Sequence, residues 1–163
     1  MNAIESLTFS LEFSKGLLLR AISDISESDL NTRAVAGSNR LNWQLGHLIS
    51  SERGILGSAG CSYPELPAGF SEDHANKPEV TGSDAPLKWT VADYQKLIEE
   101  TRAASIAGLA KLSTADLDKA TTGPMSSMVP RVGNLFELAA QHFVMHSGQV
   151  SVIRRKLGKP VLF

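Results

Sequence analysis

Histidine is scarce in this chain, and two of its four copies, His142 and His146, stand one helical turn apart near the C-terminal end. Residues i and i+4 of a helix lie about 40° apart around the axis and about 6 Å apart along it, so both imidazoles project from one face and can reach one ion. They fall in a stripe that runs through Leu135, Ala139, His142, His146, Gln149, Val150, Ile153 and Leu157. A core-facing stripe ordinarily carries apolar residues at such positions. Burying two imidazoles costs free energy unless each finds a partner, and two protonated ones repel. A divalent ion answers both problems. Hydrogen bonds within a core or groove are the plainer answer, and a single His-x-x-x-His pair does not choose between them.

His47 belongs to another predicted helix and follows Trp43 by one turn, to one side of that helix's leucine stripe. Three neutral imidazoles would leave at least one coordination position open, as in catalytic rather than closed structural sites, and they suit zinc or nickel among several ions. Glu52 interrupts the same leucine stripe and is a candidate to orient an imidazole, although a boundary carboxylate is the simpler reading. Gln149 follows His146 by three residues and could serve a bound water or an interhelical amide contact. His74 lies among Ser71, Glu72, Asp73 and Asn76 in a proline-containing segment and is expected to be solvated. Cys61, in the same segment, reaches the site only if that segment folds over it. GxSxG, P-loop, CxxC, dinucleotide and HExxH signatures are all missing.

These residues need helices to position them. Ile4, Leu7, Leu11, Leu18, Ile22 and Ile25 recur at helical steps, which predicts a first helix to about Ile25, followed by a loop from Ser26 to Gly37. A second helix is expected from about Arg40 to Leu56, capped by Asn39 or Ser38. Pro64, Pro67, Pro78 and Pro86 then break a connection of about thirty residues, a length that is uncommon unless the loop crosses the fold or covers a site. Thr90 to Asp93 has the form of a capping box and opens a third helix to about Leu112. Ser113 to Asp116 suits one further turn, and Gly123-Pro124 and Pro130 keep the next stretch irregular. The last helix should run from about Gly133 to Leu157, with Gly158 past its end and Pro160 beyond. Four long helices without alternating strand patterns imply one all-α domain over residues 1–163, a four-helix bundle.

Composition narrows the functions. Apolar residues make up 42% of the 163 and charged residues 20%, a globular balance. Sixteen basic and seventeen acidic residues nearly cancel, so no field draws the protein onto nucleic acid or an anionic membrane. The Arg154-Arg155-Lys156 run sits where the helix dipole favours cations and needs no partner. A single cysteine excludes an intrachain disulfide, and the absence of a signal-like start or an apolar run of membrane length favours the cytoplasm.

The segment Leu41-Asn42-Trp43-Gln44-Leu45-Gly46-His47-Leu48, with His142 to Val150 and the closing Arg154-Arg155-Lys156-Leu157-Gly158, resembles the DinB/YfiT-like superfamily of bacterial metal-dependent proteins. The resemblance extends over nearly the whole chain. It implies an up-down-down-up four-helix bundle with a long crossover loop between helices two and three. It also implies a metal held by one histidine of helix two and two of helix four, positions matched by His47, His142 and His146. Members include thiol-dependent S-transferases and a thiol-dependent maleylpyruvate isomerase, and homodimers are common among them. A metal-dependent transferase or hydrolase acting on a small molecule, with a low-molecular-weight thiol, is therefore one expectation. A non-catalytic metal-containing binding module or a stress-response dimer is the other.

Overall fold

The computed structural model describes residues 1–123 and 126–162; the expected irregularity at Pro124 lies outside them. The described residues form seven α-helices and one 3-10 helix, with no strand among them. Four helices are long: α1 (Ala3–Ile22), α2 (Leu41–Gly57), α5 (Val91–Leu109) and α7 (Val132–Lys156). Three are single turns: α3 (Phe70–Asp73), α4 (Pro78–Thr81) and α6 (Thr114–Leu117).

Local chemistry sets most helix ends. Thr90 and Asp93 form the expected capping box of α5, and Ser113 and Asp116 form another on α6. Asn2 and Glu5 do the same for α1. The predicted loop after α1 contains a 3-10 helix, Glu27–Asn31, and the Glu27 carboxylate accepts the Val91 N–H at the start of α5. Neither Asn39 nor Ser38 caps α2. Arg40 occupies the cap position, and the Leu41 N–H donates instead to the Thr32 carbonyl at 2.9 Å, so a tertiary contact replaces the side-chain cap. Gly158, at φ +70°, follows α7 in the left-handed conformation that glycine accepts without strain.

α1 and α2 each pack against both α5 and α7. Two apolar clusters fill the space between the long helices. One joins Leu18 and Ile22 of α1, Leu45 and Leu48 of α2, Tyr94 and Ile98 of α5, and Phe143 and Val150 of α7. The other joins Leu11, Leu56, Leu109, Leu135, Phe136 and Ala140. Fully burying a side chain of this kind contributes roughly 1.5–3 kcal/mol, so these two layers dominate the stability.

The buried face of α7 differs from the predicted stripe. It runs through Phe136, Ala140, Phe143, Ser147 and Arg154 as well as Ala139, His146, Val150 and Ile153. His142 is half-buried and Gln149 is exposed. α1 lies extensively against α7 and draws the face toward itself, a constraint the periodicity of α7 alone does not contain. The same packing overturns the reading of Arg154 as a helix-end cation without a partner. Its side chain is buried, pairs with Asp24 and donates to the Ala21 carbonyl at 2.8 Å, closing the C-terminal end of α1.

Candidate metal centre

α2 and α7 bring His47, His142 and His146 together, with one ligating atom of each within 4.8 Å of the others. The ring centroids of His47 lie 5.1 Å from His142 and 5.5 Å from His146, and those of His142 and His146 are 4.8 Å apart. The two α7 rings share a side because they are one turn apart. His47 joins them because α2 packs across α7 at this level.

Electrostatics keep these rings in the ligating form. Burial, and then the neighbouring His142, lowers the His47 pKa to about 4. Burial, followed by His142 and His47, lowers that of His146 to about 4. Desolvation also lowers His142. All three imidazoles are neutral at pH 7, so each carries a free lone pair on one nitrogen.

Neighbouring side chains fix two of the rings. Trp43 stacks on His47 with centroids 4.6 Å apart and planes 10° from parallel. The indole N–H of Trp43 donates to the Ala75 carbonyl at 3.2 Å, which ties it to the segment between α2 and α5. Gln44 was not singled out by its sequence position, yet its Oε1 lies 3.2 Å from Nδ1 of His146 while its Nε2 donates to the Asn39 carbonyl. An amide oxygen only accepts, so Nδ1 of His146 carries the proton and Nε2 is left with the lone pair. This is how a metal-ligating histidine is commonly oriented. The only available signal was that Gln44 precedes His47 by three residues on the same helix.

Two of the remaining candidates, Glu52 and Cys61, lie elsewhere. The Glu52 carboxylate is 1% exposed, pairs with Arg102 at 2.9 Å and accepts from Ser105 Oγ at 2.6 Å. Its contacts are thus directed to α5 rather than to an imidazole. Gln149 is exposed on α7 but stands beside His146, where its side-chain hydrogen bond opposes the lowering of that pKa. Cys61 is buried with its Sγ toward the Ser105 carbonyl, and burial raises its pKa.

His74 corrects the expectation of a solvated loop histidine. It is 3% exposed, with Nδ1 at 2.7 Å from the Phe70 carbonyl and Nε2 at 2.8 Å from the Tyr94 hydroxyl. Its ring occupies the space over Gly46, where a Cβ would lie 2.0 Å from Cδ2. Ser71, Glu72 and Asn76 are exposed and Asp73 accepts from the Trp89 indole N–H, while the turn of α3 carries His74 and Phe70 inward.

Beside the histidines lies a half-open cavity of about 650 Å³ lined by α2, α7 and the segment between α6 and α7. Ser51 and His142 contribute to its wall, and Ser51 Oγ stands 3.4 Å from Nδ1 of His47. A small molecule in this space would have one end at the imidazoles. No helix among the described residues is long and apolar enough to cross a membrane.

Comparison with known proteins places this geometry. No curated protein matches the chain. A conserved protein of Enterococcus faecalis, known from a crystal structure, superposes with a TM-score of 0.76 at 17% identity, over 98% of this chain and 99% of that one. A DinB-like protein of Bacillus cereus superposes with a TM-score of 0.69 at 16% identity, over 99% of this chain and 94% of that one. At these identities the likeness speaks for the fold. The family model described as the DinB superfamily matches residues 10–150, a span that includes all three clustered histidines, and the chain belongs to that superfamily.

Proposed function

We propose that this chain binds one divalent metal ion, zinc or nickel, through His47, His142 and His146, and acts on a small molecule as a metal-dependent enzyme of thiol S-transferase or hydrolase type. The observation that carries the reading is the convergence of three neutral imidazoles from two helices on one point. The donor set fits the ion: the nitrogens are close enough to share it, all are deprotonated at pH 7, and Gln44 orients His146 with Nε2 free. When bound, the metal would lower the pKa of a water or thiol and offset developing negative charge. The residues of the chain hold and orient: Trp43 fixes the plane of His47, Gln44 the tautomer of His146, and the adjoining cavity admits the reactant.

We also infer an up-down-down-up order with a long crossover between α2 and α5. It is supported by the placing of α1 and α7 N-terminal residues, and of α2 and α5 C-terminal residues, in the same apolar cluster. A homodimer is part of the reading, supported by exposed Phe9 and Phe13 on α1.

Protein purified without a histidine tag should carry about one equivalent of metal by elemental analysis, and His142→Ala should abolish it. Normal occupancy in that variant would show the ligand set to be wrong. A non-catalytic binding role is the second reading, favoured by the engagement of Glu52 with Arg102 and Ser105, which removes the nearest carboxylate of α2 as a general base. Turnover of low-molecular-weight thiols and electrophiles by metal-loaded protein, lost in His146→Ala, would decide for the enzyme.

A further inference from the structure

We propose that the cavity beside His142 receives the body of an uncharged, largely apolar small molecule whose one polar head reaches the histidine cluster. For the head, this rests on the metal reading above; for the body, it rests on the cavity alone. Its volume of about 650 Å³ lies within the usual range of small-molecule sites.

The chemistry of the walls selects the occupant. Gly54 and Ile55 of α2 face Leu135 and Leu138 of α7, and Met128 contributes from the segment between α6 and α7. Among the described lining residues there is no lysine, arginine, aspartate or glutamate. A carboxylate or phosphate brought against these walls would find no charged partner among them. Two of the hydroxyls are turned to the backbone: Ser58 Oγ donates to the Ile55 carbonyl and Thr121 Oγ1 to that of Val129, while Thr122 adds a third hydroxyl to the wall. Ser51 Oγ instead faces His47, so with His142 it makes the end of the cavity at the imidazoles polar.

Gly54 supplies a further observation. A glycine inside a helix weakens it relative to alanine. Here no neighbour demands one, because a Cβ at position 54 would meet nothing within 4 Å. Gly54 is exposed and lines the cavity, so a side chain placed there would project into open space beside the cavity wall.

The test uses untagged, zinc-loaded protein titrated calorimetrically with acetohydroxamate, octanohydroxamate and the octanohydroxamate analogue bearing a terminal carboxylate. Each buried methylene should tighten binding about fourfold, so octanohydroxamate, with six more of them, should exceed acetohydroxamate by on the order of a thousandfold. The terminal carboxylate should remove at least about tenfold of that gain. Gly54→Leu, or Leu138→Phe if the first variant fails to fold, should erase the chain-length advantage while keeping its zinc. Chain-length independence in the zinc-loaded wild type, or an unchanged advantage in a folded filled-cavity variant, overturns the proposal and leaves the metal reading standing. If the wild type retains no zinc, the metal reading fails, and the uncharged fluorophore N-phenyl-1-naphthylamine reads the cavity by itself. Binding weakened about tenfold or more by the filling substitution supports the apolar site, and absent or unaltered binding refutes it.

Discussion

His74 and His146 are withdrawn from water and His47 and His142 are half-buried, yet of the four only His74 has both ring nitrogens taken up by close hydrogen bonds. Both of its ring nitrogens are hydrogen-bonded, to the Phe70 carbonyl and the Tyr94 hydroxyl, and its ring seals against Gly46. In the cluster, Gln44 satisfies one nitrogen of His146, Ser51 lies 3.4 Å from His47, and His142 makes no hydrogen bond among the described residues. A buried polar group without a partner is costly, so the two sites call for different explanations. His74 is complete as a structural strut. The cluster keeps ring nitrogens open to water or to an added ligand.

The comparison breaks most visibly at the metal. His146→Ala should lower metal affinity at least about a hundredfold, read by competition with a chromophoric chelator, because the proposed site would lose a direct ligand. His74→Ala should leave metal content unchanged; its loss of metal would make His74 part of the site. The Glu52–Arg102 pair supplies the structural contrast. Glu52→Ala should cost about 3–5 kcal/mol in urea unfolding, because it strands a buried guanidinium, while the histidines stay in place.

Smaller effects sharpen the contrast. His74→Ala and Gly46→Ala should each destabilise by about 1–3 kcal/mol, the first through lost hydrogen bonds and the second through overlap with the imidazole. Because they share one contact, the double variant should cost clearly less than the sum, and strict additivity would disprove the docking of His74 on Gly46.

Metal-free protein should also lose stability as pH falls from about 6.5 toward 4. His47 and His146 have native pKa values near 4 against an ordinary 6.5, so across this window the unfolded chain binds protons that the native chain does not. Stability is full above the upper value and declines toward the lower one. Urea midpoints at pH 7 and pH 5 measure the fall, and His47→Gln should blunt it. Gln44→Ala should produce the smallest change, about tenfold in metal affinity with little change in stability.

Helix positions were largely legible because their signals are local: apolar steps in α1 and α7, the Thr90 and Ser113 caps, and Gly158 beyond the last turn. His142 and His146 were legible as a pair for the same reason, their spacing being an intrahelical fact. The cap of α2 was not, since its partner is Thr32 in another segment. Nor was Gln44, whose orienting bond spans from α2 to α7.

By itself, then, the chain's residue order dictated where helices start and stop, which family motifs it carries, and that two imidazoles would share a helical face. Only tertiary packing decided that His47 meets them, that His74 is a buried strut, that Arg154 closes α1, and that Glu52 turns to Arg102. The division follows from range: caps and periodicities act within about one or two turns, whereas the partners of buried polar groups are chosen by which helices touch.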